Sequence, residues 1–170
     1  LPGYTGAFVP APGFSEYKAA LEASRIPVRD IYYRPREDEH GKPYFEVPYL
    51  ALETFAAELK GQDGRIIVFL GNPNNPDGTL LDKNHIRTIA SMLKDANSLL
   101  VIDESFIDFV GNDTLQDNEY SMRSLVNEFD NIIVVHSFTK FYAVPGLRIG
   151  AAFSNPLIIE QLNSFIPTWS

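Results

Sequence analysis

The 170-residue sequence contains no cysteine, so it can form neither disulfide bonds nor thiolate metal sites, and it has no cysteine nucleophile. Histidine is also scarce: His40, His85 and His136 are scattered along the chain and lack the spacing of metal ligands. We therefore predict no metal site. No apolar run approaches the roughly 20 residues that a membrane-spanning helix needs, and we expect no membrane partner.

Positive charge is in short supply as well. Lysine and arginine number 14 against 22 aspartate and glutamate residues, which gives a net charge of −8. A negative protein is not attracted nonspecifically to nucleic acid or to an anionic membrane, so an anionic ligand must be held by a few well-placed cations. With 45% hydrophobic residues, a chain of this length can bury a substantial core, and we expect one domain.

Short β-rich segments alternate with segments of helical apolar spacing. This alternation predicts an α/β fold with a mostly parallel sheet and helices on both faces. Residues 34–48 are rich in charge and proline and are predicted to form a loop. The predicted strands are residues 7–10, 28–33, 65–70, 99–103, 132–137 and 149–154, and the predicted helices are residues 15–24, 49–60, 82–94, 122–129 and 157–165. Asp82 is the expected N-cap of the third helix.

The sequence HSFTKFYAVPGLRIG carries the strongest chemical signal. It places Lys140 three residues after Ser137 and eight residues before Arg148. An amine can hold an aldehyde as a Schiff base, while a hydroxyl and a guanidinium fork suit the oxygens of a phosphate. At this spacing the three groups resemble the Schiff-base lysine site of enzymes that use pyridoxal 5′-phosphate (PLP). The alternative is that Lys140 and Arg148 are solvated loop cations beside a strand.

Three other predicted strands are followed by residues of interest. The turn GNPNNPDGT presents Asn75, although such turns also occur without any binding role. Asp103 ends an apolar strand and needs a partner, which the pyridine nitrogen of PLP would supply; the alternative is that Asp103 is an N-cap or belongs to a structural ion pair. Phe14 follows the first strand and could cover a flat ring, but packing in the core is the simpler interpretation. Strand alternation directs Glu104 to the opposite face, where we expect a surface or capping charge.

These residues occur in the chain in the order aromatic, Asn-Pro turn, aspartate and Ser-x-x-Lys with arginine. In this order they resemble the cofactor contacts of fold-type I PLP enzymes, in the class I and II aminotransferase-like family, and the resemblance covers nearly all of the chain. It implies that Lys140 forms the Schiff base and that Asp103 pairs with the pyridine nitrogen. It further implies the remaining contacts: Asn75 to the 3-oxygen, Phe14 on the ring face, and Ser137 and Arg148 to the phosphate.

The resemblance also suggests a branch within the family. Most of these aminotransferases have tyrosine three residues after the aspartate, whereas this chain has Phe106. The run TKFYAVPGLR and the Pro-Thr-Trp-Ser ending near Trp169 likewise resemble the L-threonine O-3-phosphate decarboxylase branch. The alternatives are an aminotransferase acting on histidinol phosphate or a similar substrate, and a PLP-binding sensor domain of a regulator.

The remaining expectations follow from the same resemblance. Residues 1–170 would be part of the large PLP-binding domain, with an N-terminal segment and a C-terminal small domain lying outside them. The enzyme is expected to be a cytoplasmic homodimer that takes a small phosphorylated amino-acid substrate. The isolated segment is expected to bind PLP weakly and not to turn over substrate.

Overall fold

Six strands form the central sheet of the computed structural model, which describes residues 3–59, 64–111 and 118–166. Two further strands form a separate pair, and they follow the second strand of the central sheet along the chain. In chain order the strands are β1 Tyr4–Ala11, β2 Val28–Tyr32, β3 Arg34–Glu37, β4 Pro43–Glu46, β5 Arg65–Gly71, β6 Leu99–Asp103, β7 Ile132–Ser137 and β8 Gly150–Phe153.

The central sheet has the order β2-β1-β5-β6-β7-β8. Neighbouring strands from β2 to β7 pair in parallel, and only β8 runs antiparallel, against β7. The prediction of a mostly parallel sheet is confirmed. Because parallel strands end at the same edge, the carboxyl ends of β1, β5, β6 and β7 lie side by side.

Helices cover both faces of this sheet, as predicted. They are α1 Ser15–Ala23, α2 Tyr49–Glu58, α3 Lys83–Asp95 and α4 Pro156–Phe165. One core packs α2 and α3 on the sheet and contains Leu52, Ile89 and Leu100. The second core lies on the other face, where Leu21 of α1 and the partly buried Leu162 of α4 pack.

Helix α1 follows β1 on one face of the sheet, while α3 follows the neighbouring β5 on the other face. The chain therefore leaves two adjacent parallel strands in opposite directions. Such a switch point opens a crevice at the carboxyl ends of the strands, which is where ligands bind in open α/β sheets. The topology thus directs attention to the segments that follow β1 and β5.

The prediction of a loop at residues 34–48 is wrong, because this segment forms the β3–β4 hairpin. Arg36 and Glu46 form an ion pair across the hairpin at 2.9 Å. The turn is closed by Asp38 Oδ1, which accepts from the backbone N–H groups of His40 and Lys42. Both strands are largely exposed, so no buried face imposes the alternating pattern by which strands are predicted.

The predicted α-helix at residues 122–129 is also wrong, since this segment contains a 3₁₀ helix, Arg123–Asn127. Met122 and Leu125 are both fully buried. Their spacing of three residues matches the three residues per turn of a 3₁₀ helix. The N-cap prediction at Asp82 is confirmed, because its carboxylate accepts from the backbone N–H groups of Asn84 and His85.

Within the described ranges, no helix is both long and apolar enough to cross a membrane. The same part of the chain contains no cluster of three or more histidine or acidic residues that could hold a metal ion.

We predict that Leu100→Ala lowers the free energy of unfolding by about 3 kcal/mol, because Leu100 on β6 is fully buried and its truncation leaves a cavity in the core. Leu157→Ala is the matched control, since Leu157 is 71% exposed on α4, and it should change the free energy by less than about 0.5 kcal/mol. Urea denaturation measures both variants. Equal losses would contradict the placement of β6 in the core.

Candidate active site

A cleft at the carboxyl edge of the sheet brings together four of the six predicted site residues: Phe14, Asn75, Asp103 and Lys140. Tyr17, Pro73, Ser105 and Phe106 complete its lining. The cavity that these residues enclose measures only about 40 Å³, which is too small for a substituted pyridine ring. Lys140 and Phe14 are nevertheless exposed to solvent. These residues therefore form the floor of an open cleft.

Asp103 lies at the end of β6, half-buried, with both carboxylate oxygens engaged. Oδ1 accepts from the Ser105 backbone N–H at 2.8 Å, and Oδ2 accepts from the Tyr17 hydroxyl at 2.7 Å. The pKa of Tyr17 is raised well above its ordinary value, mainly by burial and secondly by the negative charge of Asp103. The Tyr17 hydroxyl therefore stays protonated and donates its hydrogen bond to Asp103. Tyr17 is not among the residues that the sequence predicts for the site.

Phe14 is the N-cap residue of α1 and is 42% exposed, which does not fit packing in the core. Its ring meets Tyr17 edge to face at 5.5 Å, and Tyr17 in turn stacks on Phe69 at 5.4 Å. These contacts among Phe14, Tyr17 and Phe69 hold the Phe14 ring on one side, and part of the ring remains open to the cleft. A flat ligand could stack there.

The loop after β5 carries Asn75 directly after two anchored asparagines. Asn72 is fully buried, and Asn74 is 3% exposed. The Asn74 side chain donates to the Pro12 carbonyl at 3.0 Å, which ties this loop to the segment before Phe14. Asn74 also bonds to Asp77 within the loop. The Asn75 amide is thereby held at the lining of the cleft rather than on a mobile tip.

Lys140 lies in a tight turn after β7. Its Nζ atom is 4.9 Å from the centre of the Phe106 ring, a cation–π contact. The turn is closed by backbone bonds from Ala143 to Lys140 and from Val144 to Thr139. Ala143 has a left-handed backbone with φ of 53°, a conformation that costs a non-glycine residue about 1 kcal/mol.

The structure places Ser137 and Arg148 beside this cleft but not among the residues that line it. Ser137 ends β7, where its hydroxyl shares a hydrogen bond with that of Thr139 at 2.8 Å. Arg148 is exposed and left-handed, with φ of 51°. Gly150, two residues after Arg148, pairs with Ser137. The backbone at Arg148 therefore lies next to the backbone at Ser137. Their predicted roles in phosphate binding stay predictions.

The expectation of a surface or capping charge at Glu104 is wrong, because Glu104 is fully buried. Its carboxylate accepts from the backbone N–H of Met122, the Ser121 hydroxyl and the Asn72 amide. Burial raises the pKa of Glu104, and these three donors oppose that shift. No sequence signal could have found these donors, since residues 17 or more positions away supply all of them.

This set of groups fits PLP. The cleft offers an aromatic face, a carboxylate, an amide and a primary amine, which are the groups needed for the ring face, the pyridine nitrogen, the 3-oxygen and the aldehyde. A comparison with known sequences decides the family. The profile of the "Aminotransferase class I and II" family matches residues 2–170.

The chain belongs to the class I and II aminotransferase family. The predicted family is thus confirmed, and with it the cofactor, PLP, that enzymes of this family use.

Similar curated proteins include enzymes named for two different activities. The chain is 33% identical over 165 residues to the adenosylcobalamin biosynthesis bifunctional protein CobDQ of Leptospira interrogans, covering 96% of this chain and 17% of that protein. It is 34% identical over 149 residues to threonine-phosphate decarboxylase of Salmonella typhimurium, covering 85% and 35%. It is 41% identical over 103 residues to histidinol-phosphate aminotransferase 2 of Psychrobacter arcticus, covering 58% and 27%. The chain spans well under half the length of these relatives.

Solved structures with the same fold include one enzyme named for each of these two activities, among others. Histidinol-phosphate aminotransferase from Clostridium acetobutylicum superposes with a TM-score of 0.77 at 23% identity, over 98% of this chain and 44% of that one. L-threonine-O-3-phosphate decarboxylase from Porphyromonas gingivalis gives 0.64 at 24% identity, over 95% and 41%. At these identities the likeness establishes the fold and does not separate the two activities.

We predict that Tyr17→Phe lowers the free energy of unfolding by about 1–2 kcal/mol, because Asp103 loses a partly buried hydroxyl donor. Tyr32→Phe is the matched control: Tyr32 is 71% exposed, and its hydroxyl lies 3.4 Å from the Asp30 carboxylate. Urea denaturation at pH 7 should give a loss of less than about 0.5 kcal/mol for the control. If Tyr17→Phe behaved like the control, the bond to Asp103 would not stabilise the site.

Proposed function

We propose that the protein is a PLP-dependent carboxy-lyase that converts L-threonine O-3-phosphate to an aminopropanol phosphate for cobalamin biosynthesis. The observation that carries the proposal is the position of Phe106. Its ring lines the cleft with Asp103 and lies against the Lys140 amine. By the family resemblance, most aminotransferases have a tyrosine at this position, three residues after the aspartate. Position 106 therefore supplies no phenol that would bind the cofactor's 3-oxygen beside Asn75.

The proposed cofactor contacts follow the geometry of the cleft. Lys140 would bond to the aldehyde carbon, and Phe14 would cover one ring face. Asp103, already fixed by Tyr17 and Ser105, would keep the pyridine nitrogen protonated. Ser137 and Arg148 would hold the phosphate, because a hydroxyl and a guanidinium fork match its oxygens.

When bound, PLP supplies an electron sink for the pair of electrons left on the substrate when a bond to Cα breaks. Once the substrate amine had taken its place, Lys140 would be free beside the reacting carbon and would carry the proton given up by the substrate's ammonium group. The substrate carboxylate would leave as CO₂, its bonding electrons would stay with Cα, and Lys140 would donate that proton to Cα. Asp103 would stabilise the charge that develops during this step through its contact with the ring nitrogen.

The names of two relatives support this choice. The decarboxylase of Salmonella typhimurium and the CobDQ protein of Leptospira interrogans match 85% and 96% of the chain. The Pro-Thr-Trp-Ser sequence around Trp169, which also suggests this branch, lies outside the described residues. By the same family resemblance we propose that the enzyme is a homodimer.

The second candidate is an aminotransferase acting on histidinol phosphate. It is favoured by the 41% identity to the Psychrobacter arcticus enzyme, which is higher than the identity to either of the other two relatives but covers only 58% of the chain. In that reaction Lys140 would remove a proton from Cα, and the amino group would pass to a keto acid.

We predict that the full-length protein with PLP releases CO₂ from L-threonine O-3-phosphate without any keto acid, and that one aminopropanol phosphate forms per CO₂. Carbon dioxide release and product mass are measured together. Lys140→Ala should abolish the release, because the amine that binds the aldehyde and returns the proton is lost. Lys42→Ala, which removes an exposed lysine of the hairpin turn, is the control and should leave the rate unchanged.

Two results would contradict the proposed activity. One is no CO₂ release, with amino transfer from histidinol phosphate to 2-oxoglutarate, which establishes the second candidate. The other is release of CO₂ at the same rate by the Lys140→Ala variant, which would mean that the lysine is not the catalytic group.

A further inference from the structure

We propose that Glu104 is a positioning residue for the cofactor site and that it acts through Asn72 to fix the loop that presents Asn75. Glu104 does not line the cleft, and no step of the proposed reaction uses it. The inference depends on the family's cofactor and not on the choice between decarboxylation and amino transfer.

Glu104 joins three separate segments at one buried point. Its backbone N–H donates to Val135 of β7 at 2.8 Å. Oε1 accepts from Met122 N at 2.6 Å and from the Asn72 amide at 3.1 Å, while Oε2 accepts from the Ser121 hydroxyl at 2.7 Å. All three partners of the side chain donate, so a carboxylate suits the site better than an amide or an acid would.

Asn72 passes this constraint to the loop after β5. Its side-chain amide donates to Glu104 and also to the Tyr120 carbonyl at 2.8 Å, and its Oδ1 accepts from the Leu81 backbone N–H at 3.1 Å. Its own backbone N–H donates to the Asp103 carbonyl at 2.8 Å. Asn72 and Leu81 lie at the two ends of the loop, and one side chain therefore closes it.

Asn75 lies inside the closed loop. A second bond, from the Asn74 backbone N–H to the Thr79 carbonyl at 2.8 Å, narrows the loop further. Rotation of the Asn72 amide would release Leu81 and the loop with it. The carboxylate of Glu104 opposes that rotation, because it accepts from the amide nitrogen and gives it one orientation.

Glu104 could also act on global stability alone, since removing any buried hydrogen-bonded group destabilises a protein. The two roles differ in one measurable respect. A positioning residue that acts through Asn75 should lose its effect on cofactor binding once the Asn75 side chain is absent, whereas a purely structural residue should not. A double-mutant cycle measures this coupling.

The experiment uses pyridoxamine 5′-phosphate, which has no aldehyde and cannot bond to Lys140, so its affinity reports the other contacts. Its dissociation constant is measured by calorimetry in the full-length protein. We expect Glu104→Gln to weaken binding about tenfold. In an Asn75→Ala background the same change should weaken binding less than about twofold.

Ser98→Ala is the matched control. Ser98 is 2% exposed at the opposite end of β6, where its hydroxyl accepts from Ile66 N and donates to the Ala96 carbonyl. This variant should lower the melting temperature while changing the affinity less than about twofold. If Glu104→Gln does not fold, Ser121→Ala removes one donor to Glu104 without changing its charge, and it should weaken binding in the same direction.

Either of two results would overturn the proposal. One is unchanged affinity in every foldable variant of this network, Glu104→Gln or Ser121→Ala. The other is an equal loss of affinity with and without the Asn75 side chain, which would make Glu104 a structural residue only.

Discussion

The parallel pairing of β1, β5, β6 and β7 is the constraint on which the site depends. Gly71 pairs with Asp103, and Asp103 pairs with Val135, so these strands end within a few residues of one another. Residues that are up to 126 positions apart in the chain, such as Phe14 and Lys140, meet because the strands before them lie side by side. A shift of one residue in any pair would turn each side chain of that strand to the other face.

Hydrogen bonds beneath the cleft convert this alignment into fixed geometry. Asp103 is held by Tyr17 from α1 and by its own turn. The Asn75 loop is held by the Asn74 amide on Pro12 and by Asn72 on Glu104. These contacts come from different elements, so the residues proposed to face the cofactor are each supported from a different direction. Such support reduces the reorganisation that a bound cofactor requires.

The sequence was sufficient to predict the features that depend on local chemistry. Strand and helix patterns set the α/β fold, Asp82 was identifiable as an N-cap, and the residues after each strand marked the cleft. Tyr17 was not identifiable, because its partner Asp103 is 86 positions away. Glu104 was misplaced for the same reason: burying a carboxylate is favourable only where donors converge, and those donors lie in distant segments. The β3–β4 hairpin was missed because exposed strands lack an apolar period.

The most direct measurement is the location of PLP on the chain. The full-length protein is mixed with PLP, reduced with sodium borohydride, digested and examined by mass spectrometry, since reduction makes the bond between the cofactor and a lysine permanent. The modification is expected on Lys140, which lines the cleft with Asp103 and Asn75. Modification of a lysine outside the cleft, such as Lys83 or Lys94 on α3, with Lys140 unmodified, would contradict the assignment of this cleft as the cofactor site.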